Sequence, residues 1–130
     1  MDVLIAKSGR TFTRLPINGQ QGFPQSFPLS FNGASYRFKL YINVAAHLLE
    51  HRPPFIKVPR EESFLVVTVE RELADSTREV VFVRKIVPDL EYEAENIALV
   101  FSTQQIAREN LNGQGDHGTQ IVGGITQRWA

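Results

Sequence analysis

From Phe27 to Ile42, apolar and polar residues alternate along two runs that meet at Asn32-Gly33. Period-two alternation places successive side chains on opposite faces of a strand, and Asn-Gly suits the positive φ angles of a tight hairpin turn. The pattern predicts a hairpin with Phe27, Leu29 and Phe31 on one face of its first strand. Tyr36, Phe38, Leu40 and Ile42 share a face of the second strand, with Arg37, Lys39 and Tyr41 opposite. A second hairpin is expected from residues 63–71 and 77–85 around the polar tip 72–76. Leu65-Val66-Val67 and Val80-Val81-Phe82-Val83 are apolar on both faces, which predicts central strands covered on both sides.

The remaining segments are shorter. Val3–Ile5 reads as a strand, and Phe12 and Leu15 cannot share one strict period-two face. Pro24 and Pro28 lack a backbone donor, confining their segment to an edge strand or an extended arm, and residues 1–22 are open to the same reading. Residues 44–51 are rich in helix formers and stop at Pro53-Pro54, so two helical turns at most fit there. Residues 55–59 read as an extended linker, 90–96 as an acidic surface segment, and 97–101 as a buried strand. Thr103 is placed to cap a short helix over 104–110. Residues 112–118 form a glycine-rich loop, and a last strand over 119–125 is interrupted by Gly123-Gly124, where a bulge or a close backbone approach is expected. The fold class is mainly β: a small β-barrel or β-sandwich with one or two short helices, a single domain over 130 residues.

Composition narrows the chemistry. Fourteen Lys and Arg balance fourteen Asp and Glu, which argues against nucleic acid or an anionic membrane as a partner. Without cysteine there is no disulfide, thiolate ligand or thiol nucleophile. The apolar runs are too short for a spanning helix, and the first residues lack the basic and cleavable parts of an export signal. His47-Leu48-Leu49-Glu50-His51 fits H-x-x-E-H, in which two imidazoles one helical turn apart hold zinc beside a carboxylate base. Pro53 truncates that helix and no third ligand follows, so a zinc hydrolase centred on His47 and His51 is the lesser alternative. The loop carrying Asn112, Gly113 and Asp116 has neither EF-hand spacing nor a Gly-Lys-Ser/Thr signature, and reads as a mobile or partner-ordered loop and not an ion site. No G-x-S-x-G elbow is present. No catalytic residue, metal or cofactor is expected.

What remains are contact residues. An extended edge can add to a neighbour's sheet, and Trp and Arg are enriched at interface hot spots. Phe23, Phe27, Asn112, Gly113, Asp116, Arg128 and Trp129 are therefore the candidate interface positions, against the alternative of a tail folded onto its own barrel. A stand-alone β-barrel ligand-binding module is the leading alternative function, with the aromatic row Phe23, Phe27, Phe31, Tyr36 and Phe38 as platform rather than core.

The order of these features resembles the small baseplate plug family of contractile phage tails and related injection machines. In that family a Phe-x-Val/Leu-x-Phe/Leu strand, a Gly turn and a Tyr-x-Phe-x-Leu-x-Tyr/Trp-Asn strand open the domain, and Phe27 to Asn43 is similar to that opening. Val83-Arg84-Lys85-Ile86-Val87-Pro88, Leu99-Val100-Phe101 and the Gly-containing final strand resemble its later half, so the likeness spans residues 23–125. The segment 47–60 and the glycine-rich loop depart from it. The resemblance implies a non-enzymatic component of a virion tail or prophage-like particle, assembled in the host cytoplasm. Its implied partners are copies of itself and hub or tail-tube proteins, in a symmetric homo-oligomeric assembly.

Overall fold

A computed structural model describes residues 3–44, 55–59, 63–107 and 119–129. Among these residues ten strands fall into two antiparallel sheets. The four-stranded sheet is a meander of β3 (Gln25–Phe31), β4 (Ala34–Asn43), β6 (Phe64–Glu72) and β7 (Arg78–Lys85) in the order β3-β4-β6-β7. The six-stranded sheet runs β1 (Val3–Ile5), β2 (Thr11–Arg14), β10 (Gln120–Gln127), β9 (Ile97–Ala107) and β5 (Phe55–Lys57), with β8 (Tyr92–Ala94) also on β9. The mainly-β expectation holds.

Both predicted hairpins form. Asn32 and Gly33 take φ values of 52° and 80°, and the flanking strands pair from Phe31↔Ala34 to Gln25↔Leu40. Tyr36, Phe38, Leu40 and Ile42 are buried, and Phe27 stacks on Phe38 at 5.3 Å between ring centroids, a contact of about 0.5–1.5 kcal/mol beyond area burial. In the second hairpin Asp75 accepts a hydrogen bond from the Thr77 amide at 3.1 Å and fixes the tip. Leu65, Val67 and Val69 of β6 are fully buried.

The two sheets close on a common core that joins Phe38, Leu40, Leu65 and Val67 to Ile97, Leu99, Phe101, Ile106 and Ile125. β9 reaches that core along its whole length only because it carries a bulge. Gly123 pairs with Phe101 and Val122 with Thr103, so Ser102 is an extra residue and the inward face passes from Leu99 and Phe101 to Gln104 and Ile106. The Phe101 carbonyl beside the bulge accepts the Asp89 amide at 2.7 Å, which seats the chain leaving β7 against β9. Gln104 does the same on the other side of the bulge. Its Nε2 donates to the carbonyls of Val58 at 3.0 Å and Ile86 at 3.3 Å, tying both neighbouring segments to the strand.

Several expectations need correction. The helix capped by Thr103 is absent as far as Ala107, because residues 97–107 are one strand; its last part, 108–110, lies outside the described residues. β7 is a sheet edge, not a doubly covered strand: Val80 and Val83 are 54% and 47% exposed. Residues 55–57 of the supposed linker are β5, paired to residues 105–107 of β9. The acidic segment contains β8, with Ala94 buried. Within residues 1–22, β1 and β2 are built into the sheet, with Phe12 in a small outer cluster beside Ala98 and Val100 and Leu15 in the main core, on opposite faces as their spacing requires. Among the described residues the only helical element is the 3-10 turn Gly19–Gln21; the helix expected over 44–51 falls almost wholly outside them.

The close approach expected at Gly123-Gly124 is present: a Cβ on Gly123 would stand 2.5 Å from the fully buried Phe101 ring. Gly123→Ala is expected to cost about 1–3 kcal/mol by overpacking. The penalty should shrink in a Phe101→Leu background, as read from urea midpoints at constant m-value.

Candidate functional site

The segment that ends the described chain is held by its backbone while its largest side chain is free. Arg10 donates through Nη2 to the carbonyls of Gln127 and Arg128, approaches Glu91 at 3.5 Å through Nη1, and lies over the Phe12 ring at 5.5 Å. The Arg128 amide donates to the Asn96 carbonyl at 2.9 Å. The Arg128 guanidinium faces Glu93 at 3.3 Å through Nε, as an ion pair and not a directed hydrogen bond, and its Nη1 donates to the Glu95 carbonyl at 3.4 Å. That same guanidinium stacks on Trp129 at 5.1 Å, yet the indole remains 73% exposed. A large aromatic held at the surface on a fixed backbone loses little conformational freedom when something covers it.

Beside Trp129 a cleft of about 300 Å³ opens between the sheets, reaching Asn32 of the β3–β4 turn, Tyr36, Arg71 and Asn96. Burial pushes the Tyr36 phenol above its ordinary value, with Glu95 adding to the effect and Arg71 opposing it, so the hydroxyl stays neutral. Arg71 is itself paired with Glu79 at 3.6 Å. This constellation offers stacking and hydrogen bonding but no nucleophile beside a base.

The sequence-derived candidates separate. Arg128 and Trp129 share one exposed corner. Phe23 is buried in the core at 6% exposure, and Phe27 is half-buried against Phe38, so neither stands free as an anchor. Asn112, Gly113 and Asp116 lie outside the described residues, as do His47, Glu50 and His51. Among the described residues no cluster of three metal-ligating side chains forms, and no helix is long and apolar enough to cross a membrane. Sequence reasoning missed Arg10, whose role depends on pairing between residues more than a hundred positions apart. It also missed the free edge of β7.

The outward face of the four-stranded sheet carries a charge row. Glu70 lies between Lys39 at 3.3 Å and Arg78 at 3.4 Å. Partial burial would raise its carboxyl, but hydrogen bonding and charge from Lys39 and Arg78 outweigh that and hold it below the usual carboxylate range. Comparison of the chain with protein-family models, curated proteins and solved structures finds no match.

A lowered folded-state value means that the Glu70 contribution is fully present above the unfolded carboxylate range and is lost as pH falls through the folded value. The urea midpoint difference between wild type and Glu70→Gln is therefore expected to be constant at neutral pH, to decline below the ordinary carboxylate range, and to shrink in high salt. A difference that does not change with pH excludes this assignment.

Proposed function

We propose that this protein is a structural, plug-like component of a phage or prophage-like tail baseplate that acts by assembling with copies of itself and with hub or tail-tube proteins. The observation that carries the reading is Trp129, 73% exposed on a segment clamped by Arg10 and Arg128. Exposed aromatic and Arg anchors on rigid backbone are what an assembly part needs, whereas a proton-transfer site would need converging titratable groups. Support also comes from the resemblance of Phe27 to Asn43 and of the segments around Val83, Leu99 and Gly123 to the plug family. In this reading the protein resides in the tail particle and passes through the host cytoplasm during assembly. It needs no cofactor, nucleic acid or membrane.

The stand-alone ligand-binding alternative has one observation in its favour, the cleft beside Trp129, whose 300 Å³ lies at the small end for a ligand site. The two readings separate in cells that make the particle. Tagged protein is expected to sediment with assembled tails, and Trp129→Ala to reduce the bound fraction by about tenfold or more, as for an interface hot spot. Its thermal midpoint should be unchanged, because the indole contributes little to the core. Protein that stays entirely in the free fraction overturns the proposal.

A further inference from the structure

β7 is the open margin of the four-stranded sheet, paired with β6 on one side and with no described strand on the other. Its register contains one extra residue, since Val69 pairs with Phe82 and Glu70 with Val80, leaving Val81 unpaired. The bulge sorts the side chains. Arg78, Val80, Val83 and Lys85 stand opposite the outward residues Glu72, Glu70, Thr68 and Val66, whereas Glu79, Phe82 and Arg84 stand opposite the inward positions Arg71, Val69 and Val67. Val81 packs against the core beside Phe82.

Charged residues and a bulge are the devices by which edge strands resist indiscriminate pairing. Here the same devices are complementary to themselves in one register. We propose that two copies of this chain pair antiparallel through β7, about a two-fold axis between Val81 and Phe82. This deepens the assembly reading and rests on it. In that register Glu79 meets Arg84 of the second copy and Val80 meets Val83 of the second copy, each pair occurring twice by symmetry. Every pair joins residues of the same face. The register centred on Phe82 fails this condition, since outward Val80 would oppose inward Arg84 and inward Glu79 would oppose outward Lys85.

The chosen register answers two features that the isolated chain leaves open. Val80 and Val83, among its most exposed apolar side chains on any strand, cover one another. Among the described residues no carboxylate pairs with Arg84, whose guanidinium contacts the Val83 carbonyl and the Phe82 ring, so the second copy's Glu79, half-exposed and shared with its own Arg71 at 3.6 Å, supplies a counter-charge. The register also sets Arg78 against Lys85, but each already has a partner in its own chain: Glu70 at 3.4 Å from Arg78, and the Phe64 ring at 4.2 Å from Lys85. A single-strand contact is smaller than a standard interface, so the dimer forms reversibly with concentration.

Sedimentation velocity over a concentration series tests this on the full chain. The mass is expected to rise from 14.7 kDa toward twice that value. Arg84→Glu and Glu79→Arg should each weaken association by about tenfold or more, and the double variant should return to within about threefold of wild type. Val83→Lys should abolish the dimer without touching the charge pair, and near-UV circular dichroism verifies that each variant is folded. A wild type that stays monomeric throughout overturns the proposal, as does a double variant as weak as the singles. A monomer that still sediments with tail particles removes this dimer and leaves the assembly reading standing, whereas a dimer that never enters particles removes the assembly reading alone.

Discussion

The fold depends on β9 changing its inward face halfway along. An eleven-residue strand with strict alternation would aim Leu99 and Phe101 at the core and then turn Gln104 and Ile106 away from it. The extra residue at Ser102 prevents this. Both halves of the strand then face the opposite sheet, and a carbonyl beside the bulge becomes available to Asp89. Because β10, β8 and β5 are all paired to β9, the register of the entire six-stranded sheet is referred to this one strand. Gln104 completes the arrangement as a buried polar group whose two donated hydrogen bonds hold the segments after β5 and β7.

The turn and the faces of the first hairpin were legible in the sequence, because alternation and turn chemistry are local and agree with each other; only the start of its first strand, at Gln25, was not. The failures occurred where an apolar run has more than one physical cause. Ile97-Ala98-Leu99-Val100-Phe101 is apolar throughout because both faces of β9 are covered there, the main core on one side and Phe12, Ala6 and Leu4 on the other. Val80-Val81-Phe82-Val83 looks the same in sequence, yet it belongs to an edge. Its bulge turns Val81 and Phe82 inward together while Val80 and Val83 face solvent. Period counting cannot tell these cases apart, since a bulge is specified by pairing with a distant strand.

The mistaken helix over 104–107 has a related origin. Gln104, Gln105, Ile106 and Ala107 are acceptable in a helix, and Thr103 is a good cap, so local propensity favoured the wrong state. Pairing with β10 on one edge and β5 on the other satisfies that backbone in extended form, and burial of Ile106 against Ile56 outweighs the propensity. Of the candidate surface, Trp129 and Arg128 could be singled out by residue type alone. That they form one pre-set corner could not, because the clamp on them comes from Arg10, Glu93 and the carbonyls of Glu95 and Asn96.

Edges and ends of this molecule differ in how they treat solvent. β3 carries Pro28, β8 and β5 are only three residues long, and β1 is equally short, each a means of discouraging further pairing. β7 is eight residues long and keeps valines exposed on its outward face, so its charges and bulge restrict pairing without removing the backbone groups that would make it. Specificity built in this way comes from penalising wrong registers more than from strengthening the right one. A neutral overall charge is consistent with that strategy, since complementarity here resides in the order of charges along a strand and not in a field over the whole surface.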